Sequence, residues 1–168
     1  MAKKTYSVDV VIAKVDASEA KERIQDIKDR TKNVRPVLKW AADKLERAWG
    51  ENFTTMGMLS AKAMLSNAWA PLSPAYYSWK KVRFPMNAEQ ILVQTGQLRA
   101  LVSNASTNPG SDISDQSMEL VVPGKIARWH QFGTRNMPAR PIVFVPRDFD
   151  RDIGKKLAKY IVNGSKAT

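Results

Sequence analysis

The sequence contains no cysteine and only one histidine, and these two shortages exclude several kinds of site. Without cysteine, the 168-residue chain can form no disulfide and can use no thiolate nucleophile. His130 has no acidic partner at metal-site spacing, because the nearest acids downstream of it are Asp148 and Asp150. We therefore expect no metal ion and no cofactor. We also expect His130 to be a buried side chain hydrogen-bonded to backbone, in preference to a catalytic group.

The sequence also lacks the motifs of common enzyme classes and any long apolar run. It has no GxSxG serine elbow, no GxxxxGK[ST] phosphate loop and no GxGxxG dinucleotide fingerprint. No apolar run approaches the roughly 18 residues that a membrane-spanning helix requires, and no signal peptide is recognisable. These absences predict a protein of the cytoplasm that is not an enzyme and does not enter a membrane.

Positive charge, in contrast, is abundant. Lys and Arg number 27 against 16 acidic residues, which gives a formal net charge of +11 at pH 7. Residues 124–168 alone carry ten Lys or Arg and three Asp. Such an excess favours binding to nucleic acid or to an acidic protein surface. A positive surface that only keeps the protein soluble is an equally good interpretation of the composition.

Three segments have the composition of β-strands. Alternation of apolar and polar residues over Tyr6–Val15 predicts the first, and the sequence SMELVV over 117–122 predicts the second. Ile142–Val145 is a run of β-branched and aromatic residues between Pro141 and Pro146, which is typical of a short buried strand.

Helical spacing is clearest after Pro36. Apolar residues recur there at steps of three and four, which predicts the main core helix; they are Leu38, Ala41, Leu45, Trp49 and Phe53. A highly charged helix that is exposed or lies across a partner is predicted over 17–33, and a helix with basic residues on its outer face over 148–162. Two shorter helices are expected to begin with side-chain caps at Ser73 and Thr95.

These elements predict an α+β fold in which a small antiparallel β-sheet packs against a long amphipathic helix and a C-terminal helix. The predicted domain covers residues 1–162, and residues 163–168 are a C-terminal tail. The Met-rich stretch 54–68 either continues the helix after a break at Gly57 or forms a flexible insert.

The stretch Ala127–Val145, ARWHQFGTRNMPARPIVFV, predicts a shaped loop that enters a strand. Gly133 supplies a backbone angle that other residues avoid, and Pro138 and Pro141 stiffen the return path around Arg140. A second notable stretch places Tyr76, Tyr77 and Trp79 beside basic residues. Such a mixture can stack on the bases of a single nucleic-acid strand, although a packing corner with a solvated basic rim is the favoured interpretation.

Four blocks occur in one order: WAPLSPAYYSWKK at 69–81, ILVQTGQLRALV at 91–102, ARWHQFGTR at 127–135 and MPARPIVFV at 137–145. This succession resembles the virion-morphogenesis and tail-completion proteins of tailed bacteriophages, in particular the Mu-type, G-like family. The resemblance covers roughly residues 35–160, and the last two blocks are its most specific part. Ile142 departs from the Phe often found after the final Pro of that motif, and the stretch 54–68 is also less typical.

The resemblance implies a structural subunit without catalysis that forms a ring, commonly sixfold, at the phage neck or at the end of the tail. Its expected partners are copies of itself and neighbouring neck, connector and tail-tube proteins, and its expected location is the virion, after assembly in the host cytoplasm. The residues expected to form or support the subunit contact are Trp129, His130, Gln131, Phe132, Gly133, Thr134, Pro138, Ala139, Arg140 and Pro141. The competing interpretation is that they only fold back onto their own core.

The alternative function is that of a basic protein that contacts DNA phosphates without sequence preference. The residues expected to face DNA or an acidic partner are Lys80, Lys81, Arg83, Arg151, Lys155, Lys156 and Lys159. A helix-turn-helix or another named reading module is missing from the sequence, which counts against this alternative.

Overall fold

The structure is a computed structural model, and it describes residues 18–164. Its α-helices are α1 (Ser18–Lys32), α2 (Arg35–Thr54), α3 (Met58–Met64), α4 (Pro74–Arg83), α5 (Gln97–Ser103), α6 (Lys125–Phe132) and α7 (Phe149–Asn163). Two short strands, β1 (Asp112–Ile113) and β2 (Met118–Glu119), pair antiparallel. The described part of the chain is therefore α+β, as the sequence predicts, and its sheet is a single small hairpin.

Helix α2 lies at the centre of the core. Its first turn contains Pro36, which suits a helix start because a proline there removes no helical hydrogen bond. Four of the predicted stripe residues are buried at 5% exposure or less, and they are Ala41, Leu45, Trp49 and Phe53. Their side chains pack with residues from α5, α6, α7 and the segment before α7 in one apolar cluster. The main core helix is thus confirmed.

Helix α1 buries none of its residues, which agrees with the exposed charged helix predicted there. Its C-terminal end is held to the end of α7 by polar contacts. Arg30 Nη1 donates to the carbonyl oxygens of Ile161 and Val162, each at 3.1 Å, and the Tyr160 hydroxyl donates to the Asn33 carbonyl at 3.0 Å. The last carbonyls of a helix lack partners within the helix, so Arg30 satisfies two that α7 leaves open.

The stretch 54–68 contains helix α3, which follows a turn at Gly57; of the two predicted alternatives, a helix after a break is the one observed. Gly57 has a φ of +87°, and a Cβ there would lie 2.4 Å from the Trp69 ring. Ser60 is buried, and its backbone N–H donates to Asn52 Oδ1 at 3.0 Å. The turn therefore brings α3 back against α2.

The two predicted side-chain caps have different outcomes. Ser73 Oγ accepts from the backbone N–H of Tyr76 at 3.3 Å, so the predicted cap of α4 is confirmed. The prediction for Thr95 is wrong, because the residue before α5 is Gly96, whose φ of +81° favours glycine. Helix α7 extends to Asn163, one residue beyond the end of the predicted helix.

The strand predictions are largely wrong. The stretch 117–122 pairs only at Met118–Glu119, and Ile142–Val145 forms no strand. The reason is the same for both stretches. Among the described residues, no other strand lies beside their unpaired backbone, and side chains form hydrogen bonds with it instead. The predicted strand Tyr6–Val15 lies outside the described residues.

Candidate subunit interface

Residues Trp129–Phe132 lie in helix α6, which corrects the prediction of a loop at this point. The helix has an outer and an inner face because residues three apart share a side. Ile126, Trp129 and Phe132 form the outer face and are 59%, 48% and 75% exposed. Ala127 is buried on the inner face. We call Ile126, Trp129 and Phe132 the α6 apolar face; the sequence prediction included the last two and missed Ile126.

Gln131 points inward and binds the backbone that follows the α6 turn. Its Oε1 accepts from the backbone N–H groups of Ile142 and Val143, each at 2.9 Å, and its Nε2 donates to the Val143 carbonyl at 2.9 Å. One amide side chain thus replaces the hydrogen bonds that a neighbouring strand would supply. This explains how Ile142 and Phe144 can be buried without joining a sheet.

Side chains of α2 and Trp69 bind the same segment through its carbonyl oxygens. Trp49 Nε1 donates to the Phe144 carbonyl at 2.6 Å. Asn52 Nδ2 and Trp69 Nε1 both donate to the Pro141 carbonyl, at 3.1 and 2.9 Å. Buried backbone groups without partners are costly, so these bonds fix the path of the segment between α6 and α2.

Arg140 is buried, at 7% exposure, and binds its own chain. Its Nε donates to the Ala70 carbonyl at 3.0 Å and its Nη2 to the Pro71 carbonyl at 3.2 Å. Its backbone N–H donates to the His130 carbonyl at 2.6 Å. The guanidinium thus donates through Nε and Nη2 to backbone of its own molecule. For Arg140, this agrees with the interpretation that the segment folds back onto its own core.

His130 departs from the expected backbone hydrogen bond. Its Nδ1 is buried and has no hydrogen-bond partner among the described residues. Burial lowers the pKa of the imidazole below its ordinary value of 6.5, and the nearby positive charge of Arg140 lowers it further. A neutral imidazole therefore fits this site better than a protonated one.

Gly133 ends α6 and has a φ of +77°. A Cβ at this position would lie 2.8 Å from the Ala139 nitrogen and 2.9 Å from the Met137 carbonyl oxygen, so only glycine fits without movement of backbone. Thr134 and Met137 then pair through two backbone hydrogen bonds, of 2.8 and 3.2 Å, and the chain reverses. The tight corner predicted at Gly133 is confirmed.

The ten residues predicted for the contact divide into two groups of five. His130, Gln131, Gly133, Arg140 and Pro141 are partly or fully buried and support the corner. The exposed group is Trp129, Phe132, Thr134, Pro138 and Ala139. The second group therefore has the side chains most accessible to another molecule.

Lys80 is 1% exposed, which corrects the prediction that it faces DNA. Its ammonium donates to the Gln90 carbonyl at 2.5 Å, and burial lowers the pKa of this lysine. No sequence pattern distinguishes these two adjacent lysines, because Lys80 and Lys81 differ only in the side of α4 that they occupy. Lys81 and Arg83 are exposed, as predicted.

The basic residues of α7 are also unequal. Arg151 lies 3.0 Å from an Asp148 carboxylate oxygen and 3.8 Å from one of Asp152, so its charge is partly neutralised. Lys156 is half-buried, with its ammonium 5.7 Å from the centre of the Trp40 ring. Lys155 and Lys159 are exposed, and they are the α7 cations most available to a partner.

A groove of about 580 Å³ lies between α2, α3 and the start of α7, and the sequence did not indicate it. Its floor includes Trp40, Leu59 and Phe149, and its rim carries charges of both signs. Lys44 and Asp152 form an ion pair there, which lowers the pKa of the Asp152 carboxyl. The charges that line the groove come from α2, α3, the segment before α7 and α7 itself, so no local pattern predicts that they meet.

No group of three or more His, Cys, Asp or Glu side chains within residues 18–164 could hold a metal ion. No helix in that range is both long and apolar enough to cross a membrane.

Comparisons with models of protein families, with curated proteins and with solved structures find no match to this chain.

Proposed function

We propose that this chain is a structural subunit of a phage neck or tail-terminator ring, which completes the tail or joins it to the head without catalysis. The observation that carries the proposal is the α6 apolar face, where Ile126, Trp129 and Phe132 are all about half-exposed or more. Apolar side chains grouped on one exposed helix favour a protein contact. The four ordered sequence blocks and their resemblance to tail-completion proteins add the phage context.

The hydrogen bonds beneath the α6 apolar face also favour its use as a contact surface, because they hold it in place. Gln131 on the inner side of α6 makes three hydrogen bonds to the segment behind it, and Gly133 and Arg140 fix the corner that follows. A surface that is already ordered loses less conformational entropy when it binds. The proposed partners are copies of the same chain, in a ring that the resemblance suggests is sixfold, and adjoining connector and tail-tube proteins in the virion.

A second candidate is non-specific binding to DNA, which the exposed cations Lys155 and Lys159 of α7 favour. Phosphate contacts weaken steeply as salt rises because each releases counterions. Filter binding of the protein to DNA across a salt series tests this candidate. Binding that falls steeply with salt and is lost in Lys155→Glu/Lys159→Glu supports it, whereas no binding at low salt contradicts it.

Deletion of the gene from its phage tests the proposed function. We expect lysates of the deletion mutant to contain filled heads and separate tails under the electron microscope, and a plasmid copy of the gene to restore joined particles. Wild-type yields of joined, infectious particles from the deletion mutant would contradict the proposal.

A further inference from the structure

Charges of opposite sign are separated along the chain on either side of Gly124. Residues 100–124 contain three acidic residues and no Lys or Arg, and residues 125–147 contain five Lys or Arg and no acid. The acids are Asp112, Asp115 and Glu119, on the β1–β2 hairpin, and all three are exposed. Within residues 18–164 none of the three belongs to an ion pair. We call this surface the acidic hairpin.

Three of the five basic residues of the second stretch lie on α6 or just after it. Lys125 and Arg128 lie on α6 itself, and Arg135 lies in the turn after it; all three are exposed. None of them has an ion-pair partner within the part of the chain that the structure covers. The α6 surface thus combines apolar side chains with unpaired positive charge, which makes an acidic surface its natural complement.

The two surfaces lie toward opposite ends of α2. The hairpin adjoins the start of α2, where the Val34 N–H donates to the Asp115 carbonyl at 2.8 Å. The end of α6 adjoins the last turns of α2, through the segment that Gln131 and Asn52 both bind. A helix rises about 1.5 Å per residue, so the path from Val34 to Asn52 spans roughly 27 Å.

We propose that the α6 surface of one copy binds the acidic hairpin of a second copy, head to tail. Two different and complementary surfaces on one chain form a heterologous contact, which closes into a ring when the rotation between copies permits. The α6 apolar face provides the area removed from water, and the charges select the acidic hairpin in preference to a second basic surface. This inference deepens the proposed ring and rests on it.

Two charge-reversed variants test the contact. Arg128→Glu/Arg135→Glu alters only the α6 surface, and Asp115→Lys/Glu119→Lys alters only the acidic hairpin. We expect the wild-type protein to self-associate in low salt by analytical ultracentrifugation, and each variant alone to sediment as a monomer. An equimolar mixture should associate again, because each variant keeps the surface that the other has lost.

Lys21→Glu/Arg23→Glu is the matched control, because it makes the same net charge change as the α6 variant at exposed positions on α1, outside both surfaces. It should associate like the wild type, and circular dichroism should show all three variants folded. A monomeric wild type, a variant that still associates alone, or a mixture that stays monomeric would each overturn the contact. None of these results bears on whether deletion separates heads from tails, so failure of the contact is distinguishable from failure of the proposed function.

Discussion

Arg140 is the single residue that ties most of the corner together. Replacing it with Ala removes the hydrogen bonds that its buried guanidinium donates to the carbonyls of Ala70 and Pro71. Hydrogen bonds to charged groups contribute about 1.5–3 kcal/mol, so we expect Arg140→Ala to lower the free energy of unfolding by about 2–4 kcal/mol in urea denaturation. Arg83→Ala, at an exposed position, is the control and should change it by no more than about 0.5 kcal/mol. Equal stabilities of the two variants would contradict the assigned bonds.

His130 should make stability depend on pH. Burial and Arg140 lower the pKa of the folded imidazole, so as the pH falls the unfolded chain takes up the proton first. The free energy of unfolding should therefore decrease as the pH drops below about 6.5, the pKa of an unperturbed histidine, until the lower folded-state pKa is reached.

His130→Gln isolates this effect, because the chain has no other histidine. Urea denaturation of both proteins between about pH 7.5 and pH 5 should show the smaller loss of stability in the variant. Parallel curves for the two proteins would mean that the imidazole titrates alike in the folded and unfolded states.

At the scale of elements, replacement by Ala should change stability in opposite directions at two glycines, Gly133 at the end of α6 and Gly154 within α7. Gly133→Ala forces a Cβ against the backbone of Met137 and Ala139 at a φ of +77°. We expect this to lower the free energy of unfolding by about 2 kcal/mol or more. Gly154 lies within α7 with open space around its Cβ direction, so Gly154→Ala should raise stability by about 0.5–1 kcal/mol. Thermal unfolding of both variants checks the pair, and a Gly133→Ala protein as stable as the wild type would refute the close approach.

The segment after α6 depends on Gln131. Its three hydrogen bonds to Ile142 and Val143 are lost in Gln131→Ala, and we expect a cost of about 2–4 kcal/mol in chemical denaturation. Amide exchange of Ile142 and Val143 should also become faster, because Gln131 accepts from both N–H groups. Gln94→Ala, at an exposed position, serves as the control. Unchanged exchange at both amides would show that they are protected by something else.

The elements that the sequence predicted well are those whose signal is local. The stripe of α2 and the Ser73 cap of α4 depend on residues within a few positions of each other. The strand prediction for Ile142–Val145 is wrong because its composition fits any buried segment, and its hydrogen-bond partners are side chains outside the run, including Trp49 and Gln131. Lys80 could not be distinguished from Lys81 for a related reason, since burial is decided by the segment that carries Gln90.

At the scale of the whole molecule, the sequence predicts the corner after α6. It does not predict which residues of the corner are exposed and which support it from inside. Gly133 and the prolines around Arg140 mark a tight turn in any context, and the structure has one there. Which side chains point outward depends on the phase of α6, a helix that the sequence did not predict. The acidic hairpin and the α6 surface lie only five residues apart in sequence, yet they are placed toward opposite ends of α2 by the fold.

The proposed role requires this chain to be a component of an assembled phage particle. Quantitative mass spectrometry of purified phage particles, with an isotope-labelled standard of the chain, measures this directly. We predict a fixed, small number of copies per particle, present in wild-type phage and retained after washing in high salt. Absence of the chain from purified infectious particles would contradict the account.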